Sequence, residues 1–345
     1  MKVKLSERKK AILAAIVETY IETGEPVGSK LLSTKLDFQV SPATIRSDMA
    51  WLFEMGYLEQ PHTSAGRVPS HLGFREYIDS LMRCKPLTQE ERREIDSLFN
   101  VRNPDPDKLL EDAAEALSDY TNCATVTSSI TPKTVRIRRV EMLVAGRNTV
   151  VIVMIASNGV IRNKVCRLDF QVTDKLVDFF NKFANSRLEG MNIAAVSAGY
   201  INSLAVVLGE YSQIFTPLLT AVFDLCKEIN DGQYYLSGGA KLLEYSELKS
   251  LVGELLALLE KRDTLQSLFT LQGDGFRVII GKENHSMELA DSSVVVTQYR
   301  VGGEPAGTVG LIGPVRIDYA RIIPHLEYFA KTLGDLLTET FELHQ

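Results

Sequence analysis

In Ser41-Pro42-Ala43-Thr44-Ile45-Arg46-Ser47 small and hydrogen-bonding side chains alternate. They suit one chemistry, the reading of base edges in a nucleic-acid groove: Ala43 and Ser47 permit close backbone approach, and Thr44, Arg46 and Ser47 carry the donors and acceptors that base edges match. The serine hydroxyl is placed to cap free backbone N–H groups, and proline at the first helical position loses no hydrogen bond, so a helix starts at Pro42. Ile45, Met49 and Leu52 form a narrow apolar stripe along it, while Ala43, Thr44, Arg46 and Ser47 project elsewhere from its first turns.

That helix needs a scaffold. Upstream, Ser6 can cap a helix whose apolar positions Leu13, Ile16, Val17, Tyr20 and Ile21 recur at i, i+3, i+4 spacing, and Gly24 with Pro26 stops it near Thr23. A short helix over Ser29 to Leu36 follows, then the turn Asp37-Phe38-Gln39-Val40. Short helix, turn and longer helix make a helix-turn-helix, whose second helix enters the major groove by its N-terminal end. Helix pairs are also common in all-α domains, and the pattern alone leaves that reading open. Downstream, Tyr57-Leu58-Glu59-Gln60 reads as a strand, Pro61 to Arg67 as a polar loop, Val68 as the return and Leu72 to Met82 as a helix. The hairpin favours a winged helix over residues 1–85. Its tip offers His62, Thr63, Ser64 and Arg67 to phosphates or a minor groove, although an exposed loop histidine with no role is an equal reading of His62. Ser29 and Lys30 complete the candidate DNA-facing set with Ser41, Pro42, Ala43, Thr44, Arg46 and Ser47.

The 345 residues, 45% apolar and 24% charged, suit a folded protein of two or three domains. The longest apolar stretch, Val150 to Ala156, is far too short to span a bilayer, and Lys2 to Glu7 lacks a signal-peptide core, so a cytoplasmic protein with no membrane partner is expected. Cys84, Cys123, Cys166 and Cys226 form no Cys-x-x-Cys pair and read as buried thiols. The net charge of −6 argues against a polyanionic partner until it is divided. Residues 1–85 hold 12 basic and 10 acidic side chains, a balance of +2; the rest hold 26 and 34, a balance of −8. A mildly cationic head on an acidic body cannot rely on bulk attraction to DNA, so Arg46, Arg67 and Lys30 must supply affinity locally.

The runs Tyr20-Ile21-Glu22-Thr23-Gly24-Glu25-Pro26-Val27-Gly28-Ser29-Lys30, Ser41-Pro42-Ala43-Thr44-Ile45-Arg46 and Gly56-Tyr57-Leu58-Glu59-Gln60-Pro61-His62-Thr63-Ser64-Ala65-Gly66-Arg67 resemble the heat-inducible transcription repressor HrcA family. The likeness covers about residues 12–83. It returns at Gly281-Lys282-Glu283-Asn284 and at Gly310-Leu311-Ile312-Gly313-Pro314-Val315-Arg316-Ile317-Asp318-Tyr319. The resemblance implies a homodimeric bacterial repressor of chaperone operons that binds a double-stranded inverted repeat, the CIRCE element, and is helped into its active form by the chaperonin GroEL. Two positions depart from the family pattern: Ser47 stands where asparagine is usual, and Phe53 where glutamate is usual.

Beyond the head, Thr88 to Phe99 and Asp107 to Tyr120 look helical. Val135 to Val144, with a slip in alternation at Arg138-Arg139, Thr149 to Ile155, and Val160 to Leu168 read as an antiparallel sheet with a buried central strand. Helical patterns over Thr173 to Asn185 and much of Asn192 to Ile229 precede strands at Phe276 to Ile280, Ser293 to Tyr299 and Thr308 to Ile312, and a closing helix from Asp318 to Phe341. The order indicates one α+β domain interrupted by an insert. The resemblance sharpens it to a multidomain α+β chain: a GAF-like domain in two segments, 86–170 and 273–345, with an inserted, mainly helical dimerisation domain over 171–272. The apolar face Ile214, Phe215, Leu218, Leu219, Val222, Phe223 and Leu225 is open to two equal readings, a subunit interface or packing within its own subunit.

A search for catalytic chemistry returns near misses. Gly302-Gly303-Glu304-Pro305-Ala306-Gly307-Thr308-Val309-Gly310 lacks the Gly-Lys-Ser/Thr ending of a phosphate cradle and reads as a hairpin turn, and Gly24 to Lys30 has the wrong P-loop spacing. His62, His71, His285, His325 and His344 form no metal motif, and there is no nucleophile elbow. No cofactor and no enzymatic activity are expected. A small-molecule sensor or enzyme using the GAF-like pocket is the alternative from another class.

Overall fold

The computed structural model describes residues 5–62, 65–99, 105–129, 135–271, 273, 275–284 and 286–342. The chain is mixed α+β. It begins with α1 (Glu7–Thr23), α2 (Ser29–Lys35) and α3 (Pro42–Glu54). Ser6 caps α1, and Gly24 closes it with an N–H to the Tyr20 carbonyl. Ile12, Leu13, Ile16 and Val17 of α1 are buried with Leu32 of α2 and with Ile45, Met49 and Leu52 of α3 in one apolar cluster. A two-stranded antiparallel hairpin, β1 (Leu58–Glu59) and β2 (Val68–Pro69), follows in the register Leu58 to Pro69 and Glu59 to Val68. After it α4 (His71–Glu76), capped by Ser70, runs into a π-helical turn, Tyr77–Leu81, where the Met82 N–H reaches the Tyr77 carbonyl at 2.7 Å.

Next come α5 (Gln89–Leu98), whose Thr88 and Glu91 form a capping box, α6 (Pro106–Thr121) and β3 (Ala124–Ser129). The strands β4 (Ile137–Gly146), β5 (Thr149–Ala156) and β6 (Ile161–Arg167) precede α7 (Asp174–Leu188), α8 (Ala198–Val207) and α9 (Ser212–Asp231). The chain closes with β7 (Gln233–Ser237), α10 (Val252–Leu259), α11 (Arg262–Phe269), β8 (Phe276–Ile280), β9 (Ser292–Val301), β10 (Glu304–Pro314) and α12 (Tyr319–Glu342).

Sheet membership corrects the expected division. The main sheet is antiparallel in the order β7-β3-β10-β9-β8, and β4-β5-β6 form a separate sheet. Residues expected in segment 86–170 are thus split, because every second residue of β5 (Val150, Ile152, Met154, Ala156) is buried with Phe180, Ala184 and Leu188 of α7 and Leu218, Val222 and Leu225 of α9. The excursion from the main sheet runs from about residue 135 to 231, and its helices α7, α8 and α9 pack with the three-stranded sheet β4-β5-β6. Residues 233–269, expected in the insert, belong to the main sheet instead: β7 pairs with β3, and Leu255, Leu259, Leu265, Leu268 and Phe269 cover the face that carries Val126, Val294 and Val296. The opposite face, through Val295, Tyr299, Val309 and Leu311, meets α6, α12 and the head. The slip expected at Arg138-Arg139 is a register shift between Ile137 and Arg139. Of the two readings of the α9 face, the structure takes the internal one, since Phe215, Leu218, Leu219, Val222 and Leu225 are all buried within the chain. The thiols also divide: Cys123 and Cys226 are buried, Cys166 is half-buried and Cys84 is exposed. Burial pushes the Cys123 thiol up to about 11.

The outer edge of β4 would expose unpaired peptide groups. Two asparagines one turn apart on α7 cover it: Asn185 accepts from the Val140 N–H (3.0 Å) and donates to its carbonyl (2.7 Å), and Asn181 does the same at Met142 (2.7 and 3.3 Å). Replacing both with alanine leaves four backbone groups without protein partners, which should lower stability by about 1–3 kcal/mol and promote strand-edge association. Denaturant unfolding and light scattering on the double variant check both effects.

Candidate nucleic-acid interface

Because α3 is pinned from behind by Ile45, Met49 and Leu52, its N-terminal turns face outward. Ser41 accepts from the Thr44 N–H at 3.1 Å, and the two hydroxyls lie 2.9 Å apart, so both are occupied in starting the helix. Pro42, Ala43, Arg46 and Ser47 are exposed and Thr44 is half-buried. Arg46 makes no ion pair among the described residues, in contrast to most basic side chains of the head: Lys35 holds Glu22, and Arg75 holds Asp79 and Glu283. Lys30 is exposed on α2. Ser29 is the member of the expected set that does not fit, being only 8% exposed at the buried start of α2.

At the hairpin, His62 is exposed, while Thr63 and Ser64 lie outside the described residues. Arg67 is half-buried rather than free at a tip. Its main chain bridges to Val27 (2.9 and 3.0 Å), and its guanidinium lies over the Phe53 ring, 4.7 Å from the centroid. The aromatic face of Phe53 thereby supports Arg67 through a cation–π contact. Gly66 makes the bridge possible: a Cβ there would lie 2.4 Å from the Val27 carbonyl oxygen. The hairpin is thereby tied to the turn between α1 and α2, with Arg67 beside the C-terminal end of α3.

One anchoring cluster escaped the sequence reading. Asp48, on the inner side of α3, is 4% exposed and accepts from Arg8 Nε at 2.7 Å, with Lys9 Nζ at 3.0 Å. Lys9 also sits 5.0 Å from the Trp51 ring centroid. Burial opposes ionisation of Asp48, but the hydrogen bonds from Arg8 and Lys9 outweigh it and hold the carboxyl below its ordinary value. The available signal was a basic pair in the first turn of α1 together with a carboxylate three residues from the stripe residue Ile45.

No helix among the described residues is long and apolar enough to cross a membrane. Comparison with known proteins is consistent along the whole chain. Residues 107–323 match the family model described as HrcA protein C terminal domain. The heat-inducible transcription repressor HrcA of Clostridium acetobutylicum is 35% identical, with 93% of this chain and 94% of that protein covered. That of a Thermoanaerobacter species is 33% identical, with 98% of each covered. A crystal structure described as that of a hypothetical protein superposes with a TM-score of 0.65 at 25% identity, covering 98% of this chain and 100% of the other.

A carboxyl held below its ordinary value stabilises the fold above the unfolded value of about 3.9 and loses that contribution as pH falls through the folded value. Asp48→Asn should therefore cost about 1 kcal/mol, or about 2–4 °C in Tm, at pH 7. The gap to the parent chain should close below about pH 4. Thermal melts across a pH series measure it.

Proposed function

The chain belongs to the HrcA family of heat-inducible transcription repressors, a regulatory and non-enzymatic class, and from that premise we propose that its head is a winged helix-turn-helix that presents α3 to the major groove of an operator. The observation that carries this reading is the outward face of α3, where small side chains flank an Arg46 that has no ion-pair partner among the described residues. Pro42, Ala43, Thr44, Arg46 and Ser47 read bases, and Lys30, His62, Thr63, Ser64 and Arg67 touch phosphates. Ser41 serves the helix start, and Ser29 is left out. The operator is the inverted-repeat CIRCE element of chaperone operons, occupied in the cytoplasm in the absence of stress, with GroEL as the modulator that favours the active form. A sensor role has less support: the groove of about 620 Å³ beside α12 is open and lined by the charged Arg300, Glu327, Lys331 and Asp335.

An inverted repeat calls for a two-fold homodimer. In our reading the main sheet with helices on both faces is the GAF-like domain, and the excursion over residues 135–231 is the dimerisation domain. With the α9 face used internally, the outer face of β4-β5-β6 offers an exposed apolar surface for a second copy. Leu143, Val151 and Val165 lie side by side there across the three strands, and Ile155 pairs with Ile161. Val165 is 65% exposed. Val165→Asp should shift the chain to monomer in sedimentation equilibrium, with its circular dichroism unchanged.

Footprinting should give two protected half-sites related by a dyad, and affinity should fall steeply with salt. Arg46→Ala should lose about 1–3 kcal/mol of operator binding with an unchanged Tm. Ile45→Ala, a fully buried neighbour, should instead lower stability by about 2–5 kcal/mol. Equal behaviour of the two variants, or equal affinity for operator and random DNA, would refute the assignment.

A further inference from the structure

Two body segments that resemble the family, Gly281 to Asn284 and Gly310 to Tyr319, play no part in base reading as described above. In the fold they converge on the head. Glu283 accepts from Arg75 Nε of α4 at 2.9 Å and from the Ile280 N–H at 2.9 Å, and a second nitrogen of the same guanidinium donates to the Val278 carbonyl at 2.8 Å. Gly281, at φ +49°, lies so close to His71 that a Cβ would fall 2.0 Å from its ring. Phe74 meets Tyr319 edge to face, with centroids 6.3 Å apart. Arg316, ion-paired with Glu247, reaches the end of α1, where a Cβ on Gly24 would sit 3.5 Å from its guanidinium carbon. The buried apolar cluster runs without a break from Ile12 and Leu13 through Phe74 into Val278 and Tyr319.

The covalent tether between head and body is the irregular stretch 82–88. Extended, it would reach roughly 20 Å, about six base pairs of duplex at roughly 3.4 Å each. A head held by that tether alone could follow half-sites at many separations. A docked head cannot. We propose that residues 281–284 and 315–320 form a seat that fixes the orientation of the head and thereby sets the half-site spacing the repressor accepts, with Arg75 and Glu283 as the charged pin. Arg75, Glu283, Phe74 and Tyr319 are positioning residues and touch no base. The inference rests on the dimeric, operator-binding reading above.

The test uses the full-length chain and a panel of inverted repeats whose spacers differ by single base pairs, together with one isolated half-site, read by fluorescence anisotropy. The parent should lose about tenfold or more in affinity one base pair away from its best spacer. Glu283→Arg should flatten that profile to within about threefold while binding the half-site as the parent does, and Arg75→Glu with Glu283→Arg should sharpen it again. If Glu283→Arg is poorly folded by circular dichroism, Glu283→Gln takes its place with the same expectation. A variant profile as sharp as the parent's, or a parent profile that is already flat, overturns the seat. A parent that binds no inverted repeat better than random DNA overturns the operator-binding reading itself, and the seat with it.

Discussion

Everything the head presents depends on how α3 is held from behind. Ile45, Met49 and Leu52 anchor it in the cluster shared with α1, and Asp48 adds a directional constraint by meeting Arg8 and Lys9. Apolar burial is strong but indifferent to small rotations, whereas charge-assisted hydrogen bonds are short and angular. Together they give a helix of fixed roll. The outward set Ala43, Thr44, Arg46 and Ser47 depends on that roll, since a turn of one residue about the axis would carry Ile45 to solvent and Arg46 into the core.

The body solves a different problem. Its five-stranded sheet is buried on both faces, which is why Val294, Val295 and Val296 are all inaccessible although neighbours along a strand point to opposite sides. The centre of such a sheet would ordinarily exclude hydroxyl side chains. Thr127, Ser128 and Thr308 are nonetheless buried there: Thr127 donates to the Leu110 carbonyl, and Ser128 pairs with Thr308 at 2.7 Å. Each of these three hydroxyls has a hydrogen-bond partner inside the sheet or on α6, so part of the desolvation cost is offset.

Those hydroxyls also explain what could not be read in the sequence. β3, Ala-Thr-Val-Thr-Ser-Ser, and β7, Gln-Tyr-Tyr-Leu-Ser, lack the aliphatic run of a central strand, and both escaped notice. With them went the knowledge that the chain leaves the main sheet near residue 135 and returns near 233. Alternation identifies a strand but not the sheet it joins, so β4-β5-β6 were placed correctly as strands and assigned to the wrong layer. Elements with caps and a long apolar period were legible almost to the residue, as in α1, α3 and α12. At the candidate site the outward face of α3 was legible from spacing. The buried Asp48, the burial of Ser29 and the Arg67–Phe53 contact were not, because each depends on residues distant in sequence.

The π-helical turn at Tyr77–Leu81 carries a consequence of its own. Closing a hydrogen bond across one additional residue shifts the phase of a helix by about 100° relative to an α-helical path of the same length. Phe74 and Tyr77, on one side of the turn, are directed into the buried cluster, and the chain that emerges at Met82 is rotated toward the body, where the Lys85 N–H meets the Ala320 carbonyl at 3.0 Å. The extra residue works as a phase adjuster between two rigid bodies. A deletion there would be felt less as a lost contact than as a wrong exit angle, transmitted over the whole distance from the pivot to the tip of the reading helix.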